Sequence, residues 1–357
     1  MSKYRKYLEF AALFLLAGLI IWWFGRRLDW DQVKLAIRKS DWRLILAAVV
    51  VILFAYLWRA VRWQALLKPL TEVSLREVWV ATCVGFGAIL LIGRAGEVVR
   101  PVVLPMRDHR VRPAASFVTI MIERLYDAVT VVLLFALSLL WLKPAGGGGT
   151  DFARERIAGA VLVVLLIVAV SLLIWFRKRS QTAIGWLDRR MNSRTPTGAR
   201  IKHAILSTLE QLATALSVLS DVRLLALTVF WSAVMWGSVC TANLLVCRAF
   251  GISFGFSQVF FVLGWSMVGS AVPTPGGAAG AFHAVTAAAL VVLGVGRDQA
   301  AAMAIIMHLV DFAPAAMVGL FYFLRGEVNL ERLRALISVK AVEHAVEDEK
   351  VAMAESS

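Results

Sequence analysis

Four short stretches hold most of the residues that could do chemistry in an otherwise apolar chain. "GRAGEVVR" (93–100) supplies Arg94, Glu97 and Arg100 behind a glycine turn. The planar fork of an arginine meets phosphate oxygens through two parallel hydrogen bonds, and Glu97 beside it could hold an amine or a proton. The plainer reading is a capping or surface ion pair at the membrane edge. "IMIERLYD" (120–127) supplies Glu123, Arg124 and Asp127, spaced to share one helix face. Each such charge costs ~2.5–3.5 kcal/mol at the centre of a spanning helix, so an interior or cavity-facing position is expected. They either line a polar site or form a structural ion cluster that ties helices together. "PTPGGAAGAFH" (273–283) supplies Pro275, Gly276, Gly277 and His283. Glycines let a headgroup approach the backbone closely, and free N–H groups at the start of a half-helix attract anions. "AIIMHLVD" (304–311) adds His308 and Asp311, which could relay protons because imidazole titrates near neutrality, or could be a hydrogen-bonded helix contact.

The elements that must position these residues are membrane spans. Of 357 residues, 60% are hydrophobic, and the mean hydropathy is +0.74; soluble domains carry about 45–50% apolar residues. Apolar segments fall at 8–24, 44–58, 78–92, 115–142, 157–176, 222–249, 254–272, 281–295 and 301–324. Several reach the roughly 17–25 residues that cross a bilayer. The first is read as a span and not a cleaved leader, since "GRRLDWDQ" offers no small-residue cleavage site. Cys83, Cys240 and Cys247 all lie in apolar runs and read as buried small hydrophobes. No histidine spacing of a known metal type occurs, and neither Walker nor dinucleotide glycine motifs appear, so no metal, no cofactor and no nucleotide hydrolysis are expected.

The net charge of +14 gathers in loops, most densely at 177–203, which fits cytoplasmic loops and a basic rim that attracts anionic lipids better than nucleic acid. Segment 78–92 is short and holds two glycines. If it re-enters without crossing and the N-terminus is inside, the inside segments carry 25 Lys/Arg and the outside ones 10. A full crossing with the N-terminus outside gives 24 against 11. Both arrangements make 93–113 and 177–221 cytoplasmic, send 115–142 outward and bring 301–324 inward.

The same stretches repeat. At an offset of 184 residues Gly93 meets Gly277, Gly96 meets Gly280, Arg124 meets His308 and Asp127 meets Asp311. The two copies would run in opposite directions. Broken apolar segments at corresponding places of two halves are a transporter signature, with the site near the middle of the membrane. The fold expected is therefore all-α: a polytopic membrane helix bundle with two inverted repeats, each containing a broken or re-entrant helical hairpin. Residues 1–325 make the membrane domain, with halves of about 44–142 and 222–324 and a basic cytoplasmic linker at 177–221; 326–357 is a polar cytoplasmic tail. Segment 199–219 reads as an amphipathic surface helix, and 144–151 as a flexible outer loop.

"GRAGEVVRP", "ERLYD" and "PTPGGAAGAFH", in that order, resemble the transmembrane region of lysylphosphatidylglycerol synthase/flippase proteins and their stand-alone relatives, over roughly residues 8–325. The resemblance implies a non-enzymatic translocase of the bacterial or archaeal cytoplasmic membrane. Its partner would be a lipid with a polar, phosphate-containing headgroup: a phospholipid or a polyprenyl-phosphate-linked lipid. Self-association is left open. Two positions depart from the pattern: His283 stands where members often carry a Glu, and His308 where they often carry an Arg. About thirty residues follow Leu324, too few for an aminoacyl-transferase domain. The alternatives are a secondary transporter of a small anion and, from another class, a membrane enzyme acting on a lipid-linked phosphate with Glu97, Glu123 and Asp127 as its carboxylates.

Overall fold

The computed structural model describes residues 15, 18–20, 22–26, 28–141, 153–190, 206, 222–272 and 275–326. Most of the first apolar run, the glycine-rich loop, the surface helix expected at 199–219 and the tail beyond Gly326 lie outside them. All regular structure among the described residues is helical: α1 (Trp30–Lys39), α2 (Trp42–Leu67), α3 (Leu75–Ile92), α4 (Val99–Arg107), α5 (Pro113–Trp141), α6 (Ala153–Arg190), α7 (Val222–Ala249), α8 (Phe256–Ser270), α9 (Ala281–Val292) and α10 (Arg297–Leu324). The chain is a polytopic membrane helix bundle. Helices α2, α7 and α10 are long and apolar enough to cross a membrane; at 1.5 Å per residue each exceeds a hydrocarbon core of about 30 Å. Helix α5 is as long and carries the Glu123–Asp127 charges at its centre.

Several boundaries differ from those expected. Helix α2 runs to Leu67, nine residues past the expected end, so Arg59 and Arg62 are helical and not in a loop. Apolar residues continue beyond them (Ala60, Val61, Trp63, Leu66), and the two arginines are carried inward by partners described below. Helix α6 continues to Arg190 with a break in helical geometry at Arg179 (φ −125°, ψ 19°), so the basic linker starts later than 177. Helix α1 went unread because it is short and polar. Asp29 caps it, accepting from the N–H groups of Asp31 and Gln32, and Arg38 and Lys39 sit in its last turn, where a helix favours cations.

Each half holds a hairpin. In the first, α3 and α4 are joined by a 3₁₀ turn, Gly93–Val98. The arms press so closely that a Cβ on Gly85 would sit 2.6 Å from Arg100 Cβ, and one on Gly96 would fall on the Ala88–Ile89 backbone. In the second, α8 and α9 are joined through the turn Pro275–Ala278. A Cβ on Gly269 would sit 3.0–3.2 Å from the backbone of Ala281 and Phe282, and the Ser266 and Thr286 hydroxyls meet at 2.8 Å. Gly85 and Gly269 are themselves 184 residues apart. The tips meet: a Cβ on Gly277 would touch Leu90 of α3 at 3.4 Å.

The long helices pack around these hairpins. Helices α2 and α7 run antiparallel: the Asp41 N–H donates to the Ala249 carbonyl at 2.9 Å, and toward the other end Trp58 stacks on Trp231 with ring centres 5.3 Å apart. Helix α10 meets α3 through small residues, Gly87 against Ala316 and Gly319 against the Cys83 carbonyl, as membrane helices do where backbones approach closely. Gly319→Ala puts its Cβ onto that carbonyl and should lower the thermal midpoint in detergent by the equivalent of ~1–3 kcal/mol, the usual cost of overpacking. Gly87→Ala, which meets Ala316 at an ordinary 3.5 Å, is the control and should leave the midpoint near wild type. Equal midpoints for both variants would contradict this packing. The three cysteines are buried, as expected.

Candidate functional site

Helices α2, α4 and α5 bring a cluster of charges to the centre of the bundle. Arg100, on the returning arm of the first hairpin, forks onto Glu123: Nη1 meets Oε1, and Nη2 donates to Oε2 at 2.9 Å. Arg59 and Arg62 each reach Glu123 at 3.4 Å and Asp127 at 3.0 and 2.8 Å. Trp236 of α7 donates to Asp127 at 3.3 Å, and the Arg62 Nη1 donates to Ser232 at 2.9 Å. The Arg100 guanidinium lies 4.1 Å from the ring centre of Trp63, whose Nε1 donates to Thr119 at 3.0 Å. Arg62 and Glu123 have no exposed surface, Arg100 is 2% exposed and Asp127 8%. Carboxylates at i and i+4 of α5 thus face arginines at i and i+3 of α2.

Arg124 differs from the rest. It forms no ion pair among the described residues, and its guanidinium lies 5.9 Å from the ring centre of Phe86; its buried Nε, like those of Arg62 and Arg100, has no hydrogen-bond partner. Arg59 covers the same ring at 4.9 Å. Four arginines (Arg59, Arg62, Arg100, Arg124) therefore surround two carboxylates (Glu123, Asp127), an excess of two positive charges inside the bundle.

A second polar group surrounds the tip of the other hairpin. Gly276, Gly277 and Ala278 take φ of 75°, 64° and 64°, a run of left-handed residues. Only glycine adopts this conformation without cost; Ala278 pays roughly 1–2 kcal/mol for it. The reversed turn aims the Gly277 carbonyl at His308, whose Nε2 lies 3.1 Å away. His283 stands perpendicular to His308 at 4.7 Å, takes the Gly280 N–H on Nδ1 at 3.4 Å and keeps a buried Nε2 without a partner. Phe282 and Phe312 flank the His308 ring at 5.0 and 4.9 Å. Asn243 donates to the Asp311 carboxylate at 3.4 Å, and Tyr56 donates to the Asp311 carbonyl at 2.7 Å. Tyr56 also meets Phe86 edge-on at 4.9 Å, which joins the two groups into one region under the two tips.

The family model of the lysylphosphatidylglycerol synthase TM region matches residues 10–319, nearly the whole of this bundle. The chain belongs to this family. It is also similar to a UPF0104 membrane protein of Pyrococcus horikoshii, 23% identical over 348 residues, which span 94% of this chain and 99% of that protein.

In this family member most of the residues singled out from sequence gather around the hairpins, with different partners from those expected. Arg100 does not stand open to a phosphate, because Glu123 holds both of its terminal nitrogens. Glu97 is half-buried in the 3₁₀ turn, and Arg94 lies in the same turn. Glu123 and Asp127 share a face as their spacing implied, while Arg124 turns toward Phe86. His308 and Asp311 do not pair: the histidine is held by Gly277 and the aspartate by Asn243. Pro275 opens the left-handed turn that Gly276 and Gly277 continue. Arg59, Arg62, Tyr56 and Asn243 were not read from sequence. One signal was present, since Arg59 and Asn243 are also 184 residues apart and each contacts the repeated aspartate of its own half.

Proposed function

We propose that this protein carries a lipid with an anionic, phosphate-bearing headgroup across the cytoplasmic membrane, without chemically altering it. The observation that carries the reading is the excess of two positive charges held inside the bundle around Glu123 and Asp127. An uncompensated charge there is costly, and an anionic headgroup is the group that removes the excess. Arg124, which forms no ion pair among the described residues and has a half-buried side chain, is the arginine placed to receive it. Both carboxylates are engaged by arginines, which favours a carrier over an enzyme needing a free general base.

Two inverted halves would open such a site to either face in turn. In support, the series long helix, hairpin, long helix occurs twice, and adding 184 to the ends of α5 gives 297–325, against Arg297–Leu324 for α10. Helices α2 and α7, equivalent under that offset, are antiparallel. The packing is also reciprocal: α3 lies on α10 as α8 lies on α5, and the two tips touch each other. With the charge bias of the loops, the turns at 68–74 and 108–112 face the cytoplasm, where the basic rim meets anionic lipids.

Native mass spectrometry of protein extracted in mild detergent tests the headgroup class. The retained lipids should be enriched in anionic phosphate lipids relative to the membrane they came from. A retained set matching the bulk composition would contradict the reading.

A further inference from the structure

The two halves place aspartates at equivalent positions with opposite electrostatic surroundings. Asp127 is the middle residue of α5 and Asp311 lies at the middle of α10. Around Asp127 stand Arg59 and Arg62, with Glu123 and Arg100 beside them. At the same offset the second half has Asn243, Val246, Met307 and Ala284. It keeps the carboxylate and lacks the cations. The Asp311 side chain takes one hydrogen bond, from Asn243 at 3.4 Å, and forms no ion pair among the described residues.

The groups that face this region can be named element by element. Helix α2 contributes Tyr56, whose hydroxyl is committed to the Asp311 backbone carbonyl, and beyond it Arg59, committed to Asp127. Helix α3 contributes Phe86 and Cys83, α5 contributes Arg124 across the Phe86 ring, and α7 contributes Asn243. Helix α9 contributes His283, and α10 itself His308, committed to the Gly277 carbonyl. Helix α1 reaches α10 at its Arg297 end, where the Asp29 N–H donates to Asp298. No cation lies against the Asp311 carboxylate among these groups. One buried polar atom near the second tip, His283 Nε2, has no hydrogen-bond partner.

We propose that Asp311 is a proton-binding site that couples lipid movement to a proton. This rests on the carrier reading above. An ionised carboxylate without a cation at mid-depth is costly, and a bound proton removes that cost. Asp311 takes the proton from water on one face and returns it on the other, while the arginine excess of the first half holds the anionic headgroup. A proton suits the site better than a metal cation. An alkali ion needs a shell of oxygens, whereas the Asp311 carboxylate meets the amide NH2 of Asn243, and the Tyr56 phenol is already donating to the Asp311 carbonyl.

Two measurements on the full-length protein test this. In lipid nanodiscs, the infrared spectrum taken as a function of pH should contain a carbonyl band of a protonated carboxylic acid that is lost in Asp311→Asn. The same band in both proteins overturns the proposal. In liposomes carrying a headgroup-labelled anionic phospholipid, an imposed pH gradient should accelerate translocation by the wild type. Asp311→Asn should still translocate, at a rate indifferent to the gradient. A gradient response kept in Asp311→Asn, or a wild-type response to a sodium gradient in place of a pH gradient, overturns it. Absence of translocation in every protein tested would instead be a failure of the carrier reading, which the infrared band does not depend on.

Discussion

Glu123→Ala is expected to be the most destabilising substitution in the charged cluster, costing about 3–5 kcal/mol, the scale measured when one partner of a buried ion pair is removed. Glu123 is fully buried and touches three guanidinium groups, those of Arg100, Arg62 and Arg59. Without it, Arg100 has no carboxylate among its remaining contacts and the excess of positive charge grows from two to three. Glu123→Gln keeps the shape and loses the charge, so it should rescue little. The double variant Arg100→Met, Glu123→Leu removes both charges of the forked pair and should recover most of the stability, since replacing a whole buried pair by packed apolar groups is often neutral. The check is the thermal midpoint and the yield of monodisperse protein. A wild-type midpoint for Glu123→Ala would show that these arginines do not depend on it.

How much of this was legible in the sequence depends on what fixed each feature. Span positions follow from hydropathy, a local property, and α5, α7 and α10 fall close to where the apolar runs placed them. The two hairpins were visible in the Gly93/Gly277 and Gly96/Gly280 pairs, because a close turn leaves a glycine behind. Arg59 and Arg62 were lost at the end of α2: hydropathy ends a span at the first arginine, and only the carboxylates on another helix show that these two go inward. Arg100 was legible as a phosphate ligand or as half of an ion pair, but its partner Glu123 could not be named because it is remote in sequence. The separate partners of His308 and Asp311 were hidden for a similar reason. Shared spacing puts two residues on one face, but the left-handed turn at Gly276–Ala278 presents a carbonyl to the histidine, and α7 presents an amide to the aspartate.

The 184-residue offset shows the same division. It is read directly from sequence, yet the chemistry of the residues it relates is not symmetric. The first half concentrates arginines around Asp127; the second surrounds Asp311 with neutral groups. The offset therefore relates two aspartates, while the side chains that face each one differ in charge.

Arg124→Gln should have the largest effect on function. The substitution breaks no ion pair, so the fold should survive it with a near wild-type thermal midpoint, in contrast to Glu123→Ala. What it removes is the arginine that forms no ion pair among the described residues, and with it half of the positive excess. A hydrogen bond to a charged group contributes about 1.5–3 kcal/mol, so headgroup affinity should fall roughly ten- to a hundredfold. Arg124→Lys keeps the charge but not the planar fork, and should recover only part of the activity.

The most direct measurement is the rate at which a headgroup-labelled anionic phospholipid crosses between leaflets in proteoliposomes holding equal amounts of folded wild-type or Arg124→Gln protein. The account predicts translocation by the wild type well above protein-free liposomes, and a rate for Arg124→Gln close to theirs. A wild-type rate in folded Arg124→Gln protein would contradict the assignment of the arginine excess to the headgroup.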